Sequence, residues 1–166
     1  MSVLPREAVR LGLAAESKED AILAAGRILE ELGAVEPGYA EAMLERERGM
    51  STSVGEGFAI PHGTDESRSL IKTTALSFAQ FPSGVDWPED RVYVCIGIAA
   101  RDDSHMEILA SLATILMEPE QARQLREAQD PEVVLSVLAA LEQPTPEQSQ
   151  PNEEANHQER TASLPG

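Results

Sequence analysis

The sequence predicts a single α/β (α+β) domain in which a mixed β-sheet is flanked by helices on both sides. Two helical patterns come first, extended segments occupy the middle of the chain, and three more helical patterns follow. The segment "RVYVCIGIAA", Arg91–Ala100, is a continuous run of apolar and β-branched residues, which is typical of a strand buried on both faces. At 166 residues the chain is long enough for one domain with a substantial core and too short for two.

Two helices are predicted before the sheet region. Ser17, with Asp20 three residues later, resembles a capping box and starts a helix that ends at Gly33. Pro37 occupies a favoured first helical position, and the helix that it opens runs through "YAEAMLERER" to Gly49. These two helices account for the chain before its extended middle part.

The middle of the chain is predicted to form the strands, and the last part to form helices. Short extended segments are expected near Val54 and at Phe58–Ile60, and longer ones at Thr73–Phe81 and Arg91–Ala100. Three helices follow at about residues 105–116, 119–128 and 131–141. The residues expected to start these helices are Asp102, Asp103, Ser104, Pro119, Asp130 and Pro131.

The composition of the chain changes sharply at Gln143. From there to Gly166 the sequence "QPTPEQSQPNEEANHQERTASLPG" is rich in Pro, Gln and Glu and contains few apolar residues. Such a segment cannot bury enough surface to offset its ordering entropy. We therefore expect a folded domain over residues 1–142 and a disordered tail over residues 143–166, with His157 of the tail inert.

The charge and the cysteine content exclude several classes of function. The net charge of −16 argues against nucleic acid or an anionic membrane as the main partner and favours a basic protein surface. Cys95 is the only cysteine, so no internal disulfide and no cysteine-based metal cage can form. The N-terminus lacks a signal-peptide pattern, and no apolar run approaches the roughly 20 residues that a membrane helix needs. A cytoplasmic protein is expected.

The stretch "GFAIPHGTDES" places His62 directly after an apolar run. Pro61 restricts Ile60 to extended geometry, and Gly63 allows a sharp turn after the ring. The amides of Gly63 and Thr64 are then expected to face an anion. A neutral imidazole in this position is a competent nucleophile towards phosphorus or acyl carbon. Considered alone, however, a turn histidine without any function is the more common case.

Further candidate residues lie near the ends of predicted elements. His105 is expected at the start of the helix after the most buried strand, where anions are favoured, although a helix-capping role is the simpler interpretation. Arg46 and Arg48 end the second helix and are available to a phosphate, but either one alone is more often part of a solvated face. The pattern around the histidines spells no metal motif. Cys95 is predicted to be a buried hydrophobic residue rather than a nucleophile.

Several segments together resemble one known family. The segments are "MLERE", "STSVGEGFAIPHGT", "FPSGVDW" and "VYVCIGIAARDDSHMEILASLATIL". They are similar to the enzyme IIA domain of the phosphoenolpyruvate-dependent sugar phosphotransferase system (PTS), mannitol/fructose class. The similarity covers roughly residues 3–141, and the segment "GIAARDDSHMEIL" is closer to the mannitol-type form than to the fructose type.

The resemblance implies a phosphotransferase function and specific roles for three residues. It makes His62 the phosphoryl acceptor, modified on its tele nitrogen, with phosphate from the phosphocarrier protein HPr. It makes His105 and Arg46, rather than Arg48, the groups that stabilise the phosphoryl group. His62 would then pass the phosphoryl group to a cysteine of the IIB component. The IIB component phosphorylates the sugar, here mannitol, as the membrane IIC component imports it. No cofactor is implied.

Two other interpretations stay open. Related IIA-like domains use the same phosphohistidine as a regulatory signal that changes protein partners, and a chain without attached IIB or IIC domains is compatible with that role. A domain that has kept the fold but lost the chemistry is a third possibility, against which the joint presence of His62, His105 and Arg46 counts.

Overall fold

The computed structural model of the chain describes residues 3–101 and 104–142. The predicted tail at 143–166 and the predicted helix caps Asp102 and Asp103 lie outside the described residues. The strands and α-helices in chain order are β1 Val9–Arg10, α1 Lys18–Glu31, α2 Tyr39–Gly49, β2 Ser53–Gly55, β3 Phe58–Ala59, β4 Ala75–Asp86, β5 Arg91–Ala99, α3 Ser104–Leu116, α4 Pro119–Glu127 and α5 Pro131–Val137. Short 3₁₀ helices cover Arg6–Ala8, Glu66–Leu70 and Leu138–Glu142.

The strands form one mixed sheet in the order β1-β4-β5-β3-β2. β4 and β5 are antiparallel, as are β2 and β3, whereas β1 pairs with β4 and β3 pairs with β5 in parallel. Most of the central strand β5 is fully buried, which confirms the interpretation of its continuous apolar run. Burial in β5 also raises the pKa of the Cys95 thiol, which fits its predicted role as a core residue.

Helices cover both faces of the sheet, as predicted. Successive side chains of a strand point to opposite faces, so Ser77 and Gln80 of β4 mark one face each. The Ser77 hydroxyl donates a 2.8 Å hydrogen bond to the carbonyl of Ala25 in α1. The Gln80 side-chain amide donates to the carbonyls of Arg126 and Ala128 at the end of α4, at 3.2 and 2.8 Å. The α/β fold class is thereby confirmed.

The first two helices begin with different kinds of cap. The Ser17 hydroxyl accepts a 3.1 Å hydrogen bond from the Asp20 amide, so α1 starts as the sequence indicates. α2 begins at Tyr39 and not at Pro37, because Gly38 has a φ of 105° and breaks the helical path before it. The carboxylate of Glu30 in α1 accepts from the amides of Gly38 and Ala40, at 3.2 and 3.1 Å. One helix therefore caps the next.

Other bounds differ from the prediction for local reasons. β1 was not predicted, because two residues are too few to show a strand period. β4 continues beyond Phe81 to Asp86 across a register shift between Gln80 and Val85. The last helix stops at Val137 and goes on as a 3₁₀ helix. Within the described part of the chain, no helix is long and apolar enough to cross a membrane.

A buried carboxylate fixes the chain after α2. Glu47, the residue after Arg46, is 5% exposed. Its oxygens accept hydrogen bonds from the amide of Thr52 at 3.1 and 3.2 Å and from the indole nitrogen of Trp87 at 3.0 Å. The Lys18 ammonium lies 3.5 Å from the same carboxylate. Because all these donors converge on one side chain, Glu47 sets where α2 ends.

We expect Glu47→Gln to lower the free energy of unfolding by about 2–4 kcal/mol. The glutamine amide has an NH₂ group in place of one carboxylate oxygen, and this group would face the N–H donors of Thr52 and Trp87 without being able to accept from them. Thermal unfolding followed by circular dichroism measures the loss. Glu45→Gln is the matched control, because Glu45 is exposed on the same helix. Equal melting temperatures for the two variants would show that the buried cluster contributes nothing.

Candidate functional site

The ends of two adjacent parallel strands bring two histidines together. β3 and β5 pair in parallel, and His62 extends this ladder through a bridge to Ile98. His105 is the second residue of α3, the helix that follows β5. The ring centroids of His62 and His105 are 5.0 Å apart, and the ring planes are tilted by 60°. Both predicted histidines therefore lie at one edge of the sheet, where open α/β sheets commonly bind ligands.

A pocket of about 240 Å³ lies beside the two rings. Arg46 lines it, is half-buried, and donates from Nη1 to the carbonyl of Met50 at 2.9 Å. Arg48 is exposed and is not part of the lining. The structure therefore brings three of the candidate residues, His62, His105 and Arg46, to one pocket, and it leaves Arg48 on the solvated face.

The hydrogen bond of His62 determines which ring nitrogen is free. Nδ1 lies 3.0 Å from the carbonyl oxygen of Ile60. A carbonyl only accepts, so Nδ1 carries the proton and Nε2 keeps its lone pair. Burial lowers the pKa of His62, and the charge of Arg46 lowers it further by a smaller amount. The hydrogen bond to Ile60 and the charge of Glu47 raise the pKa, but the net shift is downward. The ring is thus a neutral imidazole with a free Nε2 at neutral pH.

The loop after His62 is held by Tyr39 of α2. The Tyr39 hydroxyl donates to the carbonyl of Ile98 and accepts from the amide of Gly63, both at 3.0 Å. A Cβ on Gly63 would lie 2.7 Å from Cε1 of Tyr39 and 2.3 Å from the hydroxyl oxygen of Ser67. Close contact is therefore the reason for glycine here, and not the sharp turn that the sequence suggested.

One expectation about the backbone amides is wrong. The amide of Gly63 is already bonded to Tyr39, so it does not face an anion. The amide of Thr64 has no hydrogen-bond partner among the described residues, and Thr64 lines the pocket. The carbonyl and hydroxyl oxygens of Thr64 both accept from Ser67, which closes the loop into a compact turn. At most one amide of the expected pair is available to a ligand.

His105 has a buried nitrogen without a partner. Its Nε2 is shielded from solvent and makes no hydrogen bond within the described part of the chain. Burial lowers the pKa of His105, and the neighbouring His62, Arg68 and Arg46 lower it further. An unsatisfied buried polar atom is costly in a folded protein, so it commonly marks a place for a ligand group. The simple helix-capping interpretation does not explain this atom.

Sequence reasoning missed two residues of the pocket, Tyr39 and Arg68. Arg68 lies on the 3₁₀ helix Glu66–Leu70 and lines the pocket. In the sequence, Arg68 stands out only as a basic residue six positions after His62. Tyr39 acts through contacts to residues 24 and 59 positions away, which no local pattern shows. Within residues 3–101 and 104–142, no three His, Cys, Asp or Glu side chains are grouped to hold a metal ion.

Residues 2–140 match the family model described as "Phosphoenolpyruvate-dependent sugar phosphotransferase system, EIIA 2". The chain belongs to this family. As an enzyme IIA chain it is a component of a phosphotransferase, and the match confirms the family that the quoted segments resemble. The matched residues include the whole pocket.

Several relatives of this enzyme IIA chain are named mannitol-specific. The chain is 41% identical over 139 residues to the "PTS system mannitol-specific EIICBA component" of Vibrio cholerae. The aligned region covers 82% of the chain but only 21% of that protein. The chain is 38% identical over 140 residues to the "Mannitol-specific phosphotransferase enzyme IIA component" of Halalkalibacterium halodurans, covering 84% of the chain and 97% of the relative. The chain thus spans about a fifth of the first relative's length and almost all of the second's.

A solved structure shows the same fold. The complex of enzyme IIAMTL and phosphorylated enzyme IIBMTL from Escherichia coli matches with a TM-score of 0.76 and 37% identity, covering 81% of the chain and 95% of the matched one. This similarity agrees with the mixed sheet and the helices on both of its faces.

Tyr39→Phe tests how the loop of this enzyme IIA chain is held. The change leaves the Gly63 amide and the Ile98 carbonyl without their shared partner, so the free energy of unfolding should fall by about 1–3 kcal/mol. Chemical denaturation measures the loss, and NMR of the His62 ring shows whether the loop has moved. Tyr93→Phe removes the other tyrosine hydroxyl of the chain and is the control. An unshifted His62 signal with unchanged stability would contradict this role.

The pKa values of His62 and His105 should both lie below the ordinary value of about 6.5. The unfolded chain then binds more protons than the folded one, so stability is complete above pH 6.5 and falls as the pH drops through the lowered pKa values. Proton NMR titration of the two rings measures the midpoints, and denaturation between about pH 5 and 8 measures the stability. Midpoints above 6.5 would show that burial does not control these rings.

Proposed function

We propose that this chain is a phosphoryl carrier of a mannitol uptake system. Phospho-HPr donates the phosphoryl group to Nε2, the tele nitrogen, of His62, and a cysteine of an IIB component then accepts it. The hydrogen bond from His62 Nδ1 to the carbonyl of Ile60 supports this most directly, since it leaves Nε2 free. The mannitol-specific relatives favour transport over the regulatory role that the sequence left open.

The first transfer forms one P–N bond as another breaks. The lone pair of His62 Nε2 attacks phosphorus, and the bond between phosphorus and the histidine of HPr breaks, with its electron pair returning to that ring. Positive charge develops on the His62 ring, and the carbonyl of Ile60, which accepts from Nδ1, stabilises it. In the second transfer a IIB thiolate attacks phosphorus, and the electron pair of the P–N bond returns to Nε2.

Arg46 and His105 stabilise the phosphoryl oxygens in this proposal. Arg46 lines the pocket and carries a permanent positive charge beside His62. Nε2 of His105, which has no partner within the described residues, becomes a donor once it holds a proton. A phosphoryl dianion nearby raises the pKa of His105 and so favours that proton. The arrangement is electrostatic stabilisation by groups already in place.

The surface charge suits the proposed partners. With a net charge of −16, the chain attracts a partner that presents basic residues around its own reacting group. HPr and an IIB component are the partners that we propose, the second because the matched Escherichia coli structure is a complex with phosphorylated enzyme IIBMTL. We place the carrier in the cytoplasm, with residues 1–142 as the functional domain.

The acceptor is tested by reconstitution with phosphoenolpyruvate, enzyme I and HPr. His62→Ala should take up no acid-labile phosphate, because it lacks the attacking nitrogen. His157→Ala is the control, since the sequence predicts that His157 is inert, and it should be labelled as well as wild type. Labelling of the His62→Ala variant would overturn the assignment. Labelling of wild type without any transfer to IIB would favour the regulatory role.

The supporting groups are tested by single-turnover transfer to and from IIB. His105→Ala and Arg46→Gln should each slow transfer by roughly a hundredfold, the usual cost of losing one donor to developing charge. His105→Gln, which keeps a donor, should recover part of the rate. Arg48→Gln is the control for Arg46→Gln and should transfer normally. Wild-type rates for His105→Ala would leave that residue with a structural role only.

A further inference from the structure

We propose that Arg68 is a second phosphoryl-binding arginine, which pairs weakly with Asp65 in the unphosphorylated protein and binds the phosphoryl group when His62 carries it. This inference rests on the proposed function and concerns the same pocket. Arg68 lines the pocket together with both histidines and Arg46. It was not among the residues that the family resemblance implied.

The backbone of Arg68 is fixed relative to His62. The loop between them closes on itself, because the hydroxyl of Ser67 donates to the carbonyl of Thr64 at 2.7 Å and Ser67 is only 6% exposed. The amide of Arg68 donates to the carbonyl of Asp65 at 3.2 Å, and the carbonyl of Arg68 accepts from the Ile71 amide at 3.0 Å. The guanidinium is thus carried on a rigid base beside the reacting ring.

The side chain of Arg68, in contrast, is weakly held. Its Nη2 lies 3.8 Å from Oδ1 of Asp65, which is beyond hydrogen-bond distance. The two side chains are 47% and 95% exposed, so water screens their attraction. No hydrogen bond of this guanidinium lies within the described part of the chain. Arg46, by comparison, is bonded to the carbonyl of Met50. Arg68 is therefore free to exchange one weak anionic partner for a stronger one.

The two arginines reach the pocket from different elements, Arg46 from α2 and Arg68 from the 3₁₀ helix Glu66–Leu70. The pKa of His105 is lowered mainly by burial, and the charges of both arginines add to that lowering. A phosphoryl group on His62 Nε2 is a dianion with several oxygens to neutralise. Two guanidinium groups and His105, all lining the same pocket, match that distribution of charge.

Asp65 competes with the phosphoryl group in this arrangement. Its Oδ1 lies 3.8 Å from Nη2 of Arg68, and repulsion from a bound phosphoryl dianion disfavours that position of the carboxylate. Removing Asp65 should therefore free Arg68 and favour anion binding, whereas removing Arg68 should weaken it. If Asp65 acts through Arg68, its effect should vanish in a chain that lacks Arg68.

The test is a double-mutant cycle of Arg68→Gln, Asp65→Asn and the combined variant, with Arg123→Gln on the surface of α4 as control. Two quantities are measured: the affinity of the unphosphorylated protein for inorganic phosphate, by NMR titration, and the equilibrium of phosphoryl exchange with HPr. Arg68→Gln should lower both by about tenfold or more, the usual range for a charge-assisted hydrogen bond. Asp65→Asn should raise both, and the combined variant should behave as Arg68→Gln.

The outcomes separate this inference from the proposed function. If wild type is labelled on His62 and Arg68→Gln matches wild type in both quantities, the inference is wrong and the carrier function stands. Additive effects in the combined variant would likewise overturn the exchange between Asp65 and the phosphoryl group. If wild type takes up no phosphoryl group, the carrier function fails, and the phosphate titration still decides the role of Arg68. Arg68→Lys, which keeps the charge, should recover part of the affinity and excludes misfolding as the cause.

Discussion

The hydroxyl of Tyr39 joins the three segments on which the pocket depends. It accepts from the amide of Gly63 in the loop after His62 and donates to the carbonyl of Ile98 in β5, while its own backbone starts α2, the helix that carries Arg46. Without this group a half-buried amide and a buried carbonyl would both lack a partner. The position of the His62 ring relative to Arg46 therefore depends on one side chain from the core.

The pocket contains two guanidinium groups within a strongly acidic protein. Arg46 and Arg68 line it beside His62, together with the carboxylates of Asp65 and Glu66 and with His105, whose Nε2 has no partner among the described residues, while the net charge of the chain is −16. The acidic remainder favours approach of a basic partner, and the local cations favour the group that the partner brings. Long-range attraction thus acts on the partner protein, and local binding acts on the group that the partner brings. This division suits a carrier that must both accept and release that group.

Much of the fold was predictable because the relevant patterns are local. The Ser17 cap, the apolar run of β5 and the helix after it each appear within a few residues, and all were located correctly. Two of the three predicted pocket residues are histidines at strand ends, where chemistry is expected from topology alone. What failed depended on contacts between distant segments. Glu47 gave no sign of burial, because its partner Trp87 lies 40 residues away.

The two pocket residues that the sequence did not predict, Tyr39 and Arg68, were also missed because no local pattern marks them. Tyr39 stands in an ordinary helix-start sequence, and only the folded chain shows its hydroxyl against Gly63. Arg68 lies in a short 3₁₀ helix, for which the sequence has no periodic pattern. Gly63 was identified, but for the wrong reason: the sequence suggested backbone freedom, and the structure shows a lack of space.

The hydrogen bond between Trp87 and Glu47 makes Trp87 an intrinsic fluorescent probe of the end of α2. Trp87 is the only tryptophan, and its indole nitrogen is bonded to the residue next to Arg46 in sequence. The emission of an indole depends on the charges around it, and the Lys18 ammonium also lies 5.9 Å from the ring centroid. Intrinsic fluorescence therefore reports on the end of α2, the helix that carries Arg46, in the native sequence and without an attached dye.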